Sequence, residues 1–112
     1  MTVVAVAHVH GIAAARTQLV ELLRRTAAAA RAEPGCRSYD VGELLDGADD
    51  FLVVHAWADE AALEAHYRGT VHQAYQRGVF GLLARPSELV IHQVAASEHP
   101  VDPGPMDPRD AD

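Results

Sequence analysis

The sequence has no lysine and only one cysteine, Cys36. A single thiol cannot close an internal disulfide, so a core rather than covalent staples must hold the fold together. With lysine absent, nine arginines face sixteen acidic residues, for a formal net charge of -7. That balance excludes the basic face that phosphate backbones require, and it disfavours docking on anionic membranes. Long apolar runs are also missing, and nothing approaches the ~20 residues of a membrane-spanning helix. Residues 1–15 are apolar but lack a basic start and contain His8, His10 and Gly11, so a signal peptide is not expected. A soluble, reducing, cytoplasmic setting is the expectation, with neither nucleic acid nor membrane as partner.

What is present is enough for one core. The chain has 112 residues, 49% hydrophobic and 22% charged, which suits one domain rather than two. Thr2–His10 alternates and is rich in valine, as a strand is. From Ala13 to Glu33 the period changes: Leu19, Leu22, Leu23, Thr26, Ala27 and Ala30 form one stripe of an amphipathic helix, which Pro34-Gly35 ends. Cys36–Leu45 reads as a second strand, Asp46–Asp50 as a hairpin turn and Phe51–Trp57 as a third strand. Asp59 is placed to cap a helix over Glu60–Arg68. Gly69 breaks that helix, Thr70 caps a second helical stretch from Val71 to about Leu83, and Pro86 closes it. Glu88–Ala96 completes the pattern as a fourth strand.

The order strand, helix, strand, strand, helix, strand predicts an α+β, ferredoxin-like βαββαβ domain over residues 1–96, with a four-stranded antiparallel sheet and the helices on one face. The third strand is apolar on both faces: Phe51, Val53, His55 and Trp57 point one way, Leu52, Val54 and Ala56 the other. A strand without a polar face must be covered twice, so a homodimer pairing two sheets face to face is expected. Residues 97–112 hold four of the six prolines and five acidic residues, and read as a flexible acidic tail.

Glu33-Pro34-Gly35-Cys36, the turn into Phe51–Trp57, and Glu60-Ala61-Ala62-Leu63-Glu64-Ala65-His66 resemble the antibiotic biosynthesis monooxygenase family of small dimeric α+β barrels. The resemblance covers roughly residues 2–96 and is densest from Glu33 to Tyr75. It implies oxidation of an electron-rich phenolic polyketide, anthrone or quinol to a quinone by O2, with no cofactor and no metal. Such chemistry needs a base, a donor for an oxyanion, and a dry apolar cavity. Trp57 matches the family's strand tryptophan and would line the substrate pocket. His55 and His66 are the candidate bases, and Tyr67, Tyr75 and Arg77 candidate substrate-binding groups.

The chain also departs from the family pattern. Ala5 and Val53 stand where some members carry an asparagine donor. Gln76 and Ala7 occupy positions that would hold the axial histidine and the asparagine of haem-degrading members, which argues against haem. Each candidate also has a structural reading: Trp57 as core, His55 and His66 as hydrogen-bonded seam residues, Tyr75 and Arg77 as surface groups, His8 and His10 as interface or strand-end residues. Seven histidines without HxxxH or CxxC-like spacing predict no metal site. The functional alternatives are a polyketide cyclase or isomerase of the same fold, and a non-enzymatic small-ligand-binding dimer.

Overall fold

A computed structural model of the chain describes residues 1–110. Four strands, β1 (Thr2–Gly11), β2 (Cys36–Glu43), β3 (Asp50–Trp57) and β4 (Leu83–Val94), form one antiparallel sheet in the order β2-β3-β1-β4. Three helices, α1 (Arg16–Ala30), α2 (Glu60–Arg68) and α3 (Thr70–Gly78), connect them, and a 3-10 turn at Ala13–Ala15 leads into α1. This is the ferredoxin-like α+β arrangement that the element order predicts.

Alternation along the strands sorts the side chains into two faces. Leu89, Ala7, Val53 and Val41 lie in register across the four strands on the face toward the helices. One residue along, Val90, Val6, Val54 and Asp40 form a row on the opposite face. In β3 the two sides separate cleanly: Phe51, Val53, His55 and Trp57 are buried, whereas Leu52, Val54 and Ala56 remain partly exposed. Helix α1 buries Leu19, Leu22, Leu23, Thr26, Ala27 and Ala30, the same six positions as the stripe in the sequence. Each leucine so covered contributes about 1.5–3 kcal/mol of burial free energy, and the Thr26 hydroxyl is satisfied by the Leu22 carbonyl at 2.8 Å.

Helix α1 and strand β2 are a few residues shorter than expected, and larger differences lie around α3. Asp59 does cap α2, its carboxylate accepting from the Ala62 amide at 2.9 Å, but Thr70 does not cap α3, whose N-cap is Gly69. Helix α3 stops at Gly78 rather than near Leu83, giving way to a turn through Gly81 at φ +81°. Strand β4 then begins at Leu83 and runs through Pro86. Proline is tolerated there because β4 is an edge strand and its pairing with β1 slips between His8 and His10, so no ladder donor is required of Pro86.

Residues 97–107 form no helix or strand and Pro108–Asp110 make a short 3-10 turn; the last two residues of the expected tail lie outside the described residues. No helix among the described residues is long and apolar enough to cross a membrane.

The α1–β2 connection positions the site. Gly35 adopts φ +79°, which a side chain would strain, and a Cβ there would stand 2.6 Å from the Ala62 Cβ. The Gly35 carbonyl also accepts from the Ala58 amide at 2.8 Å. Backbone freedom and close approach together pin this loop against α2, and the loop carries Glu33 with it.

Candidate active site

Between the sheet and helices α2 and α3 lies a cavity of about 380 Å³. Its floor is Ala7, Val9, Tyr39, Val53 and His55 from β1, β2 and β3. Helices α2 and α3 supply His66, Tyr67, His72, Tyr75 and Gln76, and β4 closes one side with Ser87 and Leu89. The volume falls at the small end of the ~300–1,000 Å³ typical of ligand sites.

Two buried histidines face each other here in opposite chemical states. The Trp57 indole N–H donates to His55 Nδ1 at 2.7 Å. Indole nitrogen can only donate, so Nδ1 of His55 must be a bare acceptor and its proton sits on Nε2. Burial, with secondary contributions from His66 and His72, lowers the His55 pKa to about 4, which keeps this ring neutral at ordinary pH. His66 shows the reverse arrangement. Its Nδ1 lies 2.6 Å from Glu33 Oε1, and a carboxylate can only accept, so the proton is on Nδ1. In the neutral ring, His66 Nε2 is then an acceptor, buried and with no hydrogen-bond partner among the described residues. The two ring centroids are 5.4 Å apart.

The remaining walls are aromatic and protic. Tyr39 packs on His55 with centroids 4.6 Å apart, and His72 packs edge-on to Tyr67 at 4.9 Å. The Tyr67 hydroxyl is buried without a partner among the described residues. Desolvation raises the pKa of Tyr39, Tyr67 and Tyr75, so all three remain phenols able to donate. The same effect lowers that of His72. A cavity lined by rings, with orphaned polar atoms at its wall, suits a flat aromatic ligand carrying acidic O–H or C–H groups.

His55, His66, Tyr67 and Tyr75, singled out in the sequence, thus meet at one cavity. Trp57 does not line it. It is fully buried behind the wall, stacking on His66 at 4.7 Å and 30° and donating its N–H to His55. Arg77 is exposed and absent from the lining, because it leaves α3 on a different side from His72, Tyr75 and Gln76. Sequence reasoning missed Glu33, Tyr39 and His72. Gln76 and Ala7, noted only as replacements for haem-binding residues, both border the cavity, and neither is an imidazole that could serve as an axial ligand.

The sequence model of the antibiotic biosynthesis monooxygenase family matches residues 2–78. The chain belongs to this family. Rv0793 of Mycobacterium tuberculosis is 37% identical over 78 residues, which is 69% of this chain and 75% of that protein. The Synechocystis protein sll1783 is 32% identical over 68 residues, 61% of this chain, and the match spans only 46% of its own length. The solved structure of Rv0793 superposes with a TM-score of 0.82 at 28% identity, covering 88% of this chain and all of that one (100%). A family structure from Deinococcus radiodurans gives a TM-score of 0.83 at 21% identity over 89% of this chain and 99% of that one, a likeness of fold alone.

Proposed function

We propose that this family member is a cofactor-independent monooxygenase that oxidises a small phenolic, anthrone-like or quinol substrate to a quinone with O2. The observation that carries the reading is the pair of oppositely poised imidazoles at one buried aromatic cavity: His66 held as an acceptor by Glu33, His55 held as a donor by Trp57. For an anthrone, His66 Nε2 takes a proton from the ring methylene, leaving an electron-rich enolate. The Nε2–H of His55 donates to the enolate oxygen, stabilising charge where it develops. The anion passes one electron to O2 and the radical pair joins through a C–O bond, giving a peroxide anion that takes back the proton held on His66 Nε2. Loss of the second methylene proton, with cleavage of O–O, yields the carbonyl and one water. Tyr67, Tyr75 and the apolar walls orient the ring and exclude solvent.

Incubation of the purified chain with anthrone under air tests this, with a simple hydroquinone, whose oxidation to a quinone reduces O2 to hydrogen peroxide without inserting oxygen, run beside it. The expected result is O2 consumption and quinone formation well above the spontaneous rate. No acceleration across several such substrates overturns the reading, and turnover that persists without O2 points instead to an isomerase or cyclase using the same base.

We further infer that a second copy of the chain covers the open sheet face. Val4, Val6, Leu52, Val54, Ala56 and Val90 form an apolar surface there with no helix among the described residues over it, and Val90 is 53% exposed. Sedimentation at twice the 12.0 kDa chain mass supports this pairing, and a monomer at micromolar concentration contradicts it.

A further inference from the structure

We propose that His8, His10 and Glu88 form a binding site for a divalent transition-metal ion of the zinc type, with Asp50 as the outer carboxylate that orients His10. The site lies at one end of the sheet, on the side away from the aromatic cavity. Each of the three residues offers a ligand atom within 4.8 Å of the other two. Tetrahedral ligands on bonds of about 2.1 Å stand about 3.4 Å apart, so small side-chain rotations close the set.

The local fold brings the three together. His8 and His10 are two residues apart on β1 and share a face, their ring centroids 4.2 Å from each other. The pairing of β1 with β4 slips between these two residues. Glu88, in register with His8, reaches His10 Nε2 at 2.9 Å. From β3, Asp50 Oδ1 lies 3.3 Å from His10 Nδ1.

In a neutral His10 this geometry leaves a proton conflict that a cation resolves. His10 is 2% exposed and has a carboxylate at each ring nitrogen, yet a neutral imidazole donates only once. With the proton on Nδ1 and donated to Asp50, Nε2 carries a lone pair directed toward the Glu88 carboxylate, where two acceptors repel. A divalent ion between them satisfies both, and the Asp50–His10 contact becomes the carboxylate–histidine support that metal-bound imidazoles commonly carry. His8 Nε2 is a second sign: it is buried and lacks a hydrogen bond among the described residues, with the Asp50 Oδ2 oxygen 3.5 Å away. Two imidazoles and one carboxylate form a donor set suited to zinc or cobalt(II) rather than calcium or magnesium. Three protein ligands leave the fourth position to water.

The full chain, dialysed against chelator and then against buffer, is titrated with Zn²⁺ by calorimetry and with Co²⁺ by visible absorption. One ion per chain is expected, with the Co²⁺ bands of a mixed nitrogen–oxygen site. Glu88→Gln and His8→Gln should each weaken Zn²⁺ by at least about 10-fold, and Asp50→Asn by about 10–100-fold. His99→Gln, outside the cluster, should change nothing. The Glu88 side chain is 67% exposed, so its amide replacement keeps the fold, and circular dichroism verifies this for each variant. Zn²⁺ should raise the Tm of the parent chain and leave that of the His8→Gln/Glu88→Gln double variant unmoved. Equal affinity in parent and double variant overturns the proposal, leaving His10 as an imidazolium held between two carboxylates.

Discussion

His66→Gln is expected to lower kcat for quinone formation by about 10²–10⁴, the usual worth of a positioned general base, with little change in KM. Glutamine fills similar space beside Trp57, but its amide nitrogen and oxygen cannot take up and hold a proton as Nε2 can. His55→Gln should behave differently. The role proposed there is donation, which a glutamine N–H can still perform, so that variant should retain activity within about 10-fold, whereas His55→Ala should lose about 10²–10³. Rescue by glutamine at 55 but not at 66 is the signature that separates donor from base. Glu33→Gln should fall between, at about 10–10²-fold in kcat, because the amide oxygen still accepts from Nδ1–H but no longer opposes the imidazolium formed in the reaction. Steady-state O2 uptake on variants of normal melting behaviour measures all four, and equal losses for the two glutamine variants would remove the assignment.

Trp57→Phe carries the second large effect, and on two quantities at once. The indole is fully buried, and its N–H satisfies a buried acceptor. Replacement removes ring volume that α2 and β3 enclose and leaves His55 Nδ1 unsatisfied, for a combined cost of about 2–4 kcal/mol in denaturant unfolding. Freed of its partner, His55 can adopt either tautomer, so kcat should fall by roughly 10-fold. KM should stay nearly constant, since Trp57 is not part of the cavity wall. A variant of near-parental stability whose only defect is a raised KM would mean that the indole touches substrate after all.

Much of this arrangement can be read from the residues before any coordinates. The period-3.6 stripe of α1 names its buried face without error, since apolar side chains on one side of a helix have nowhere else to go. Helix α2 spans Glu60–Arg68 as expected, because Asp59 and Gly69 punctuate it at both ends. Alternation in β3 puts His55 and Trp57 on one face but says nothing of depth, and depth decides that one lines the cavity while the other stands behind it.

The place of Arg77 is legible from helix geometry alone. At 100° per residue it sits about 200° around the helix from Tyr75, so the two could not share a cavity, whereas His72 lies three residues before Tyr75 and four before Gln76, which gathers those three on one side. Glu33 was visible only as part of a helix-ending motif, because its partner lies 33 residues along the chain. The left-handed Gly35 and its contact with Ala62 are what join them. His8-x-His10 is too short a pattern to announce a ligand set, since Asp50 and Glu88 arrive from two other strands.

The functional reading rests on the two imidazoles holding their protons on opposite nitrogens. Nitrogen-15 NMR of the histidine-labelled chain at pH 8, where an ordinary imidazole is neutral, reports this directly without any substrate. We expect His55 to carry its proton on Nε2, and to keep that form on acidification until about pH 4. We expect His66 to carry its proton on Nδ1, against Glu33. Both rings in the same tautomer, or either one reversed, would contradict the pairing of donor and acceptor from which the proposed chemistry is built.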